Sequence, residues 1–396
     1  MKRLLLSLFA LCFLSTVTIA QPDKDDPVTM NLMPVPTHIQ LNEGKFRLTS
    51  DFKVAVFGNP NDRIYGAATR MLRKLSGRTG LFVPQDYVTK ESKDSDAQLI
   101  IRAQHPGKVR LHEDESYELT ITPDKVTLTA PNDLGALHGM QTILQLINSD
   151  QDGYYLPALE IKDSPRFAWR GLLMDVGRHF MPMDVVKRNI DGLAAVKMNV
   201  LHWHLSEDQG FRVESKVFPK LQKMGSDGKF YTQQQIKEII KYANDRGIRV
   251  VPEFDIPGHA TSWLVGYPEL ASKRDTTYGI QRKFGIFKPT MDPTREETYK
   301  FLDKFIGEMA QLFPDPYFHI GGDEVEGSQW KNSEHIQQFM EKHGLDSNEE
   351  LHTYFNKRLL KILNKYHKKM VGWDEILQPD LPKDAVVQSW RGKESL

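Results

Sequence analysis

The hydrophobic pattern changes character along the chain. Between residues 35 and 163 short β-like runs mix with two helix-like runs. Tyr117, Leu119 and Ile121 alternate with polar neighbours, the period of a half-buried strand, and Val126 and Leu128 repeat it after the turn pair Pro123-Asp124. From Asn132 the spacing becomes helical, with Leu134, Leu137, Ile143, Leu144 and Ile147 on one stripe. This segment predicts a small α+β domain with no evident chemistry.

After Pro165 strand-like runs alternate with amphipathic helices, which implies successive β-α units and a parallel sheet. The expected strands are Gly171–Val176, Asn199–Leu205, Arg249–Phe254, Tyr317–Gly321, Met370–Trp373 and Ala385–Ser389. Thr232 with Gln235, Thr294 with Glu297, and Ser347 with Glu350 have capping-box spacing, and Gly247 is a candidate helix stop. The fold class expected is α/β, a (β/α)8 TIM-type barrel truncated after about six strands, over residues 164–396. A doubly wound open sheet is the alternative, although no Gly-rich phosphate fingerprint follows a strand.

The first residues read differently. Lys2 and Arg3, an apolar run from Leu4 to Leu14, and the small-residue approach to Ala20 describe a cleavable export signal over 1–20. That run is too short for a spanning helix, which needs about 20 apolar residues. Residues 21–34, with Pro22, Asp23, Asp25, Asp26 and Pro27, are expected to form a linker. Cys12, the one cysteine, falls inside the signal, so the exported chain is expected to lack disulfides and to depend on core packing. With 40% hydrophobic residues among 396, a large core is within reach. Equal numbers of basic and acidic side chains, 52 of each, argue against nucleic acid or an anionic membrane as the main partner.

In such barrels the active site lies at the C-terminal strand ends. Those ends are polar here: Asp175, Arg178 and His179; His202 to Asp208; Asp255 to His259; His319 to Val325; then Trp373 and Trp390. Carboxylates, a histidine and indole faces at one rim suit a sugar. A lone strand Trp or His is more often structural, and an acidic pair is usually solvated. Asp323-Glu324 differs because it directly follows Gly321-Gly322 at the end of an apolar strand. His202 and His204 at i and i+2 face one side and open a second reading, a metal-dependent barrel hydrolase.

The run His319-Ile320-Gly321-Gly322-Asp323-Glu324-Val325 resembles the signature of family 20 glycoside hydrolases, the β-N-acetylhexosaminidases. Pro165 to Gly171 with Asp175 and Arg178-His179-Phe180, His202 to Arg212, and Asp255 to His259 resemble its first three barrel strands, and the preceding domain is similar to the family's usual N-terminal one. The resemblance implies exo-acting removal of terminal β-linked N-acetylhexosamine, with retention, in which the substrate's acetamido oxygen is the nucleophile. It implies Glu324 as general acid, Asp323 as the grip on the acetamido N–H, and Asp208 with His259 as a relay, Glu207 being the second candidate. It further implies Arg170 and Asp255 as substrate contacts and Trp373 and Trp390 as walls of the acetamido pocket. No cofactor and no metal ligand set are implied.

The family's barrel continues for two more strands than can be matched. Residues 21–396 alone are therefore expected to be poorly soluble or partner-dependent, and weakly active. An inactive, glycan-binding relic of the family is the third reading.

Overall fold

A computed structural model describes residues 30–85, 88–90 and 96–392. The export signal and the linker up to residue 29 lie outside the described residues. Where the linker was expected to continue, Leu32 is buried, and Met33 exchanges two backbone bonds of 3.0 Å with the Gln145 amide. The end of that segment is thus packed against the first domain.

The first domain contains β1 (His38–Arg47), β2 (Val54–Gly58), α1 (Arg63–Thr79), β3 (Val88–Lys90), β4 (Leu99–His105), β5 (Tyr117–Ile121), β6 (Val126–Asn132), α2 (Asp133–Gln145), β7 (Asn148–Asp150) and β8 (Gly153–Asp163). They form one mixed sheet in the order β1-β8-β5-β6-β4-β2-β3, with β7 beside β8. β6 buries every second residue, the half-buried alternation read from Val126 and Leu128. The Asn132 side chain accepts from the amides of Leu134 and Gly135, which starts α2 where the spacing changes.

The second domain contains β9 (Gly171–Asp175), α3 (Met183–Ala195), β10 (Val200–His204), the miniature pair β11 (Ser206–Glu207) and β12 (Gly210–Phe211), α4 (Lys220–Gly225), α5 (Gln233–Asn244), β13 (Arg249–Glu253), α6 (Thr261–Gly266), α7 (Glu296–Leu312), β14 (Tyr317–His319), α8 (Ser328–Lys331), α9 (Glu334–His343), α10 (Asn348–Lys365), β15 (Lys369–Trp373) and β16 (Val386–Gln388). The sheet order β9-β10-β13-β14-β15-β16 follows the chain and every pairing is parallel. All six expected strands form, as the early part of a TIM-type barrel. All residues of β10 and β13 are buried, as expected of parallel strands covered on both faces. Among the described residues the sheet is open between β9 and β16, where Leu172, Leu173 and Val386 are exposed.

Helix starts divide according to where the side chains bond. Thr232 and Gln235 complete a capping box on α5. Ser347 caps α10 through the Glu350 amide. The box expected from Thr294 and Glu297 does not form: the Thr294 hydroxyl bonds Asp292 at 2.6 Å, and α7 starts after Arg295. Behind β13, Phe254, Phe305, Trp263 and Phe211 pack with ring centroids 4.8–5.0 Å apart along the chain of contacts. Each such pair contributes about 0.5–1.5 kcal/mol beyond its buried area, which makes a stiff base for the loops above. No helix among the described residues is long and apolar enough to cross a membrane.

Candidate active site

Three strand ends converge on one side chain. β10 leads into the β11–β12 turn, which carries Glu207 and Asp208; β13 leads to Asp255 and His259; β14 leads to Asp323 and Glu324. His259 lies at the centre. Its Nδ1 is 3.1 Å from Glu207 Oε2 and 3.2 Å from Asp208 Oδ2, while its Nε2 is 3.3 Å from Glu324 Oε2 and 3.8 Å from Asp323 Oδ2. Asp208 is fixed in turn by the Thr261 hydroxyl and by the Thr261 amide at 2.9 Å. Exposure orders the group: the side chains of His259, Glu207 and Asp208 are at most 1% accessible, Asp323 is 13% and Glu324 is 30%. Glu324 is therefore the carboxylate best placed to meet a ligand.

Backbone strain marks the same positions. His259 (φ 46°) and Glu324 (φ 49°) both hold left-handed conformations, which cost a non-glycine residue on the order of 1–3 kcal/mol. Gly321 and Gly322 are also left-handed. A Cβ on Gly321 would lie 1.9 Å from Asp255 Oδ1, so this glycine admits a neighbouring carboxyl rather than a ligand.

The charges are unusual. Burial alone would lower the His259 pKa, but Asp208, Glu207 and Asp323 outweigh it and raise it to about 11. Burial raises Asp323 to about 6, with the charge of Glu253 adding to the push and His259 opposing it. Asp255 is pushed well above the usual carboxylate range by burial first and by Asp323, Glu207 and Glu253 next. It neighbours Asp323, while its Oδ1 accepts the Gly322 amide at 3.0 Å.

Two expectations are corrected. Asp255 has no accessible surface, so it supports Asp323 and cannot touch a substrate. Arg170 precedes β9 and lies at the opposite end of the strand from the acids. Its guanidinium bonds Glu115, the Lys197 carbonyl and the Phe167 carbonyl, which ties the barrel to the first domain. The arginine at the rim is Arg178, just past β9, with Nη2 2.5 Å from Glu207 and Nη1 2.9 Å from Asp175. Strand direction was the available signal, since only residues after a strand reach this face. Glu207, held as second candidate for the relay, contacts His259 as closely as Asp208 does.

Trp373 closes β15 against the His319 ring, with centroids 4.9 Å apart. Trp390 is 51% exposed and reaches the group through Glu375, to which its indole donates at 3.1 Å. Glu324, Glu375 and Arg391 line one cleft together with Asp374 and His352. His202 and His204 both face Glu253, and His202, Glu253 and His319 bring one nitrogen or oxygen each within 4.8 Å of one another. That carboxylate already receives the Trp373 indole on Oε1 and has two imidazoles 2.6 Å from Oε2, which suits an internal anchor.

Residues 167–396 match the family described as glycosyl hydrolase family 20, catalytic domain, and residues 29–164 match its domain 2. The chain belongs to glycosyl hydrolase family 20. A β-hexosaminidase of Porphyromonas gingivalis is 33% identical over 100% of this family 20 chain and 52% of its own length. The β-hexosaminidase subunit alpha of Rattus norvegicus is 39% identical over 70% of the chain and 53% of its own. Among solved structures, the Flavobacterium johnsoniae chitobiase has a TM-score of 0.89 at 52% identity, covering 92% of this chain and 55% of that one. The exo-β-N-acetylglucosaminidase of Vibrio harveyi in complex with N-acetylglucosamine has a TM-score of 0.77 at 30% identity, covering 92% and 58%. The family 20 chain thus spans about half the length of these relatives.

Proposed function

We propose that the protein hydrolyses terminal, non-reducing β-linked N-acetylhexosamine from glycans, with retention, through an oxazolinium intermediate. The observation that carries this reading is the adjacency of Asp323 and Glu324 on one left-handed turn, bridged by His259. Two carboxylates on consecutive residues do not flank a glycosidic bond from opposite sides, as an acid and an enzyme nucleophile would. The nucleophile is then the substrate's own amide. Glu324 gives its proton to the glycosidic oxygen as the C1–O bond breaks. The acetamido oxygen bonds to C1, and Asp323, ionised above about pH 6, accepts the acetamido N–H and strengthens that oxygen as a donor of electrons.

In the second step water attacks C1 and reopens the ring, and Glu324 takes the water's proton. Cationic His259, held by Glu207 and Asp208, stabilises the carboxylate that Glu324 presents between the two steps. Trp373 and Trp390 wall the acetamido methyl, and Arg178 holds hydroxyls of the sugar. Support comes from the names of the relatives: β-hexosaminidases, a chitobiase, and an exo-β-N-acetylglucosaminidase with bound N-acetylglucosamine. We infer export as well, on the strength of Lys2, Arg3 and the apolar run before Ala20.

The test compares an aryl N-acetyl-β-glucosaminide with the aryl β-glucoside that lacks the acetamido group. Only the first is expected to release chromophore, with or without chelator. Comparable turnover of both would overturn substrate assistance, and loss of activity to the chelator would favour the metal-dependent reading.

A further inference from the structure

Glu253 is assigned no role in these steps, yet three imidazoles and an indole surround its carboxylate. It ends β13 with no accessible side-chain surface. A lone buried carboxylate costs several kcal/mol unless it is paired and hydrogen-bonded. Oε2 lies 2.6 Å from both His202 Nε2 and His204 Nδ1. Burial works against charge on both Glu253 and His204, but their mutual attraction wins: Glu253 is held well below, and His204 well above, its ordinary pKa. The second oxygen, Oε1, accepts the Trp373 indole N–H at 2.9 Å. His319 Nδ1 lies 3.3 Å from the same oxygen but is committed as acceptor to the Gly321 amide at 3.0 Å, so the indole is the donor there. The faces of His319 and His202 then fill the space beside Trp373, with centroids 4.9 and 5.7 Å away.

We infer that Glu253 is a positioning residue that sets acyl specificity: by clamping the Trp373 indole it fixes the depth of the pocket that receives the substrate's N-acyl group. The inference rests on the proposed function, in which Trp373 walls that pocket. A half-buried indole holds one orientation when its N–H has an acceptor. Without one the ring is free to tilt, and the wall yields to a longer acyl chain. A rigid pocket discriminates against one extra methylene by roughly 10–200-fold.

The experiment uses the protein as the cell makes it and measures kcat/KM for paired aryl β-glucosaminides carrying N-acetyl or N-propionyl. The wild type is expected to prefer N-acetyl by roughly 10–200-fold. Glu253→Gln removes the anion that the two histidines and the indole share, and the preference should fall about tenfold, mostly through kcat on the N-acetyl substrate. Trp373→Phe removes the N–H together with one ring of the wall, so it serves as a background rather than a match: Glu253→Gln added there should change nothing further, and Glu253→Asp in the wild type should keep part of the preference. If both substrates slow equally and the ratio stands in Glu253→Gln, the positioning role is refuted and Glu253 serves the fold alone. Should Glu253→Gln fail to fold, Glu253→Asp decides: its carboxylate ends one methylene short of the indole, and a ratio equal to that of the wild type refutes the role. A wild type that turns over neither substrate refutes the proposed function instead, so the two failures are distinct.

Discussion

At the N-terminal ends of the barrel strands, Arg170, Arg249 and Lys368 are each locked into a fixed set of acceptors. Arg249 makes two bonds of 2.8 Å to Asp315, Lys368 reaches the carbonyls of Phe313 and Asp315, and Arg170 holds Glu115. At the C-terminal ends, Glu207, Asp208, Asp255, Asp323 and Glu324 crowd around His259, with His204 and Arg178 reaching only Glu207 among them. The same residue types occur at both ends. Matched pairs remain in one state, whereas an excess of carboxylates over the cations among them leaves protons to be shared and therefore moved.

That contrast can be broken from either side. The largest effect is expected at the C-terminal face: Glu324→Gln should lower kcat by about 10²–10⁴-fold, the usual contribution of a general acid, with the melting temperature little changed. Next comes the opposite end, where Arg249→Met strands Asp315 in a buried site and should cost about 3–5 kcal/mol in denaturant unfolding. A milder loss would mean that the lower pairs are less tightly coupled than their geometry implies. The smallest effect is a titration. Asp323 is needed ionised and is raised to about 6, so kcat/KM should fall about tenfold per unit as pH drops below that value. An acid limb near pH 4, the ordinary range for an aspartate, would place Asp323 outside the chemistry.

The same asymmetry explains what was legible beforehand. Six strands were readable because each apolar run is fenced by amphipathic helices, and their bounds shifted by only one or two residues on formation, as in Tyr317–His319. The sheet order of the first domain was not, because β1 pairs with β8 across more than a hundred residues and no local period encodes that pairing. The rim location of Asp323, Glu324, Asp208 and His259 was legible from their places after strand ends, whereas their roles came from the family resemblance. Arg170 was misread because a charged residue looks alike at either end of a strand until direction is considered. Asp255 was misread for a subtler reason: its carboxyl is buried in the space that Gly321 leaves free, a packing that the sequence does not display. Glu253 carried only the faint signal of an acid between Val250-Val251-Pro252 and Phe254, and its importance lies in partners from three other strands.

The central claim is that the sugar's own amide attacks C1 while Glu324 protonates the departing oxygen. Proton NMR of the first product released from an aryl N-acetyl-β-glucosaminide tests it most directly. The account predicts that the β-anomer appears first and mutarotates afterwards; an α-anomer as the initial product would contradict it.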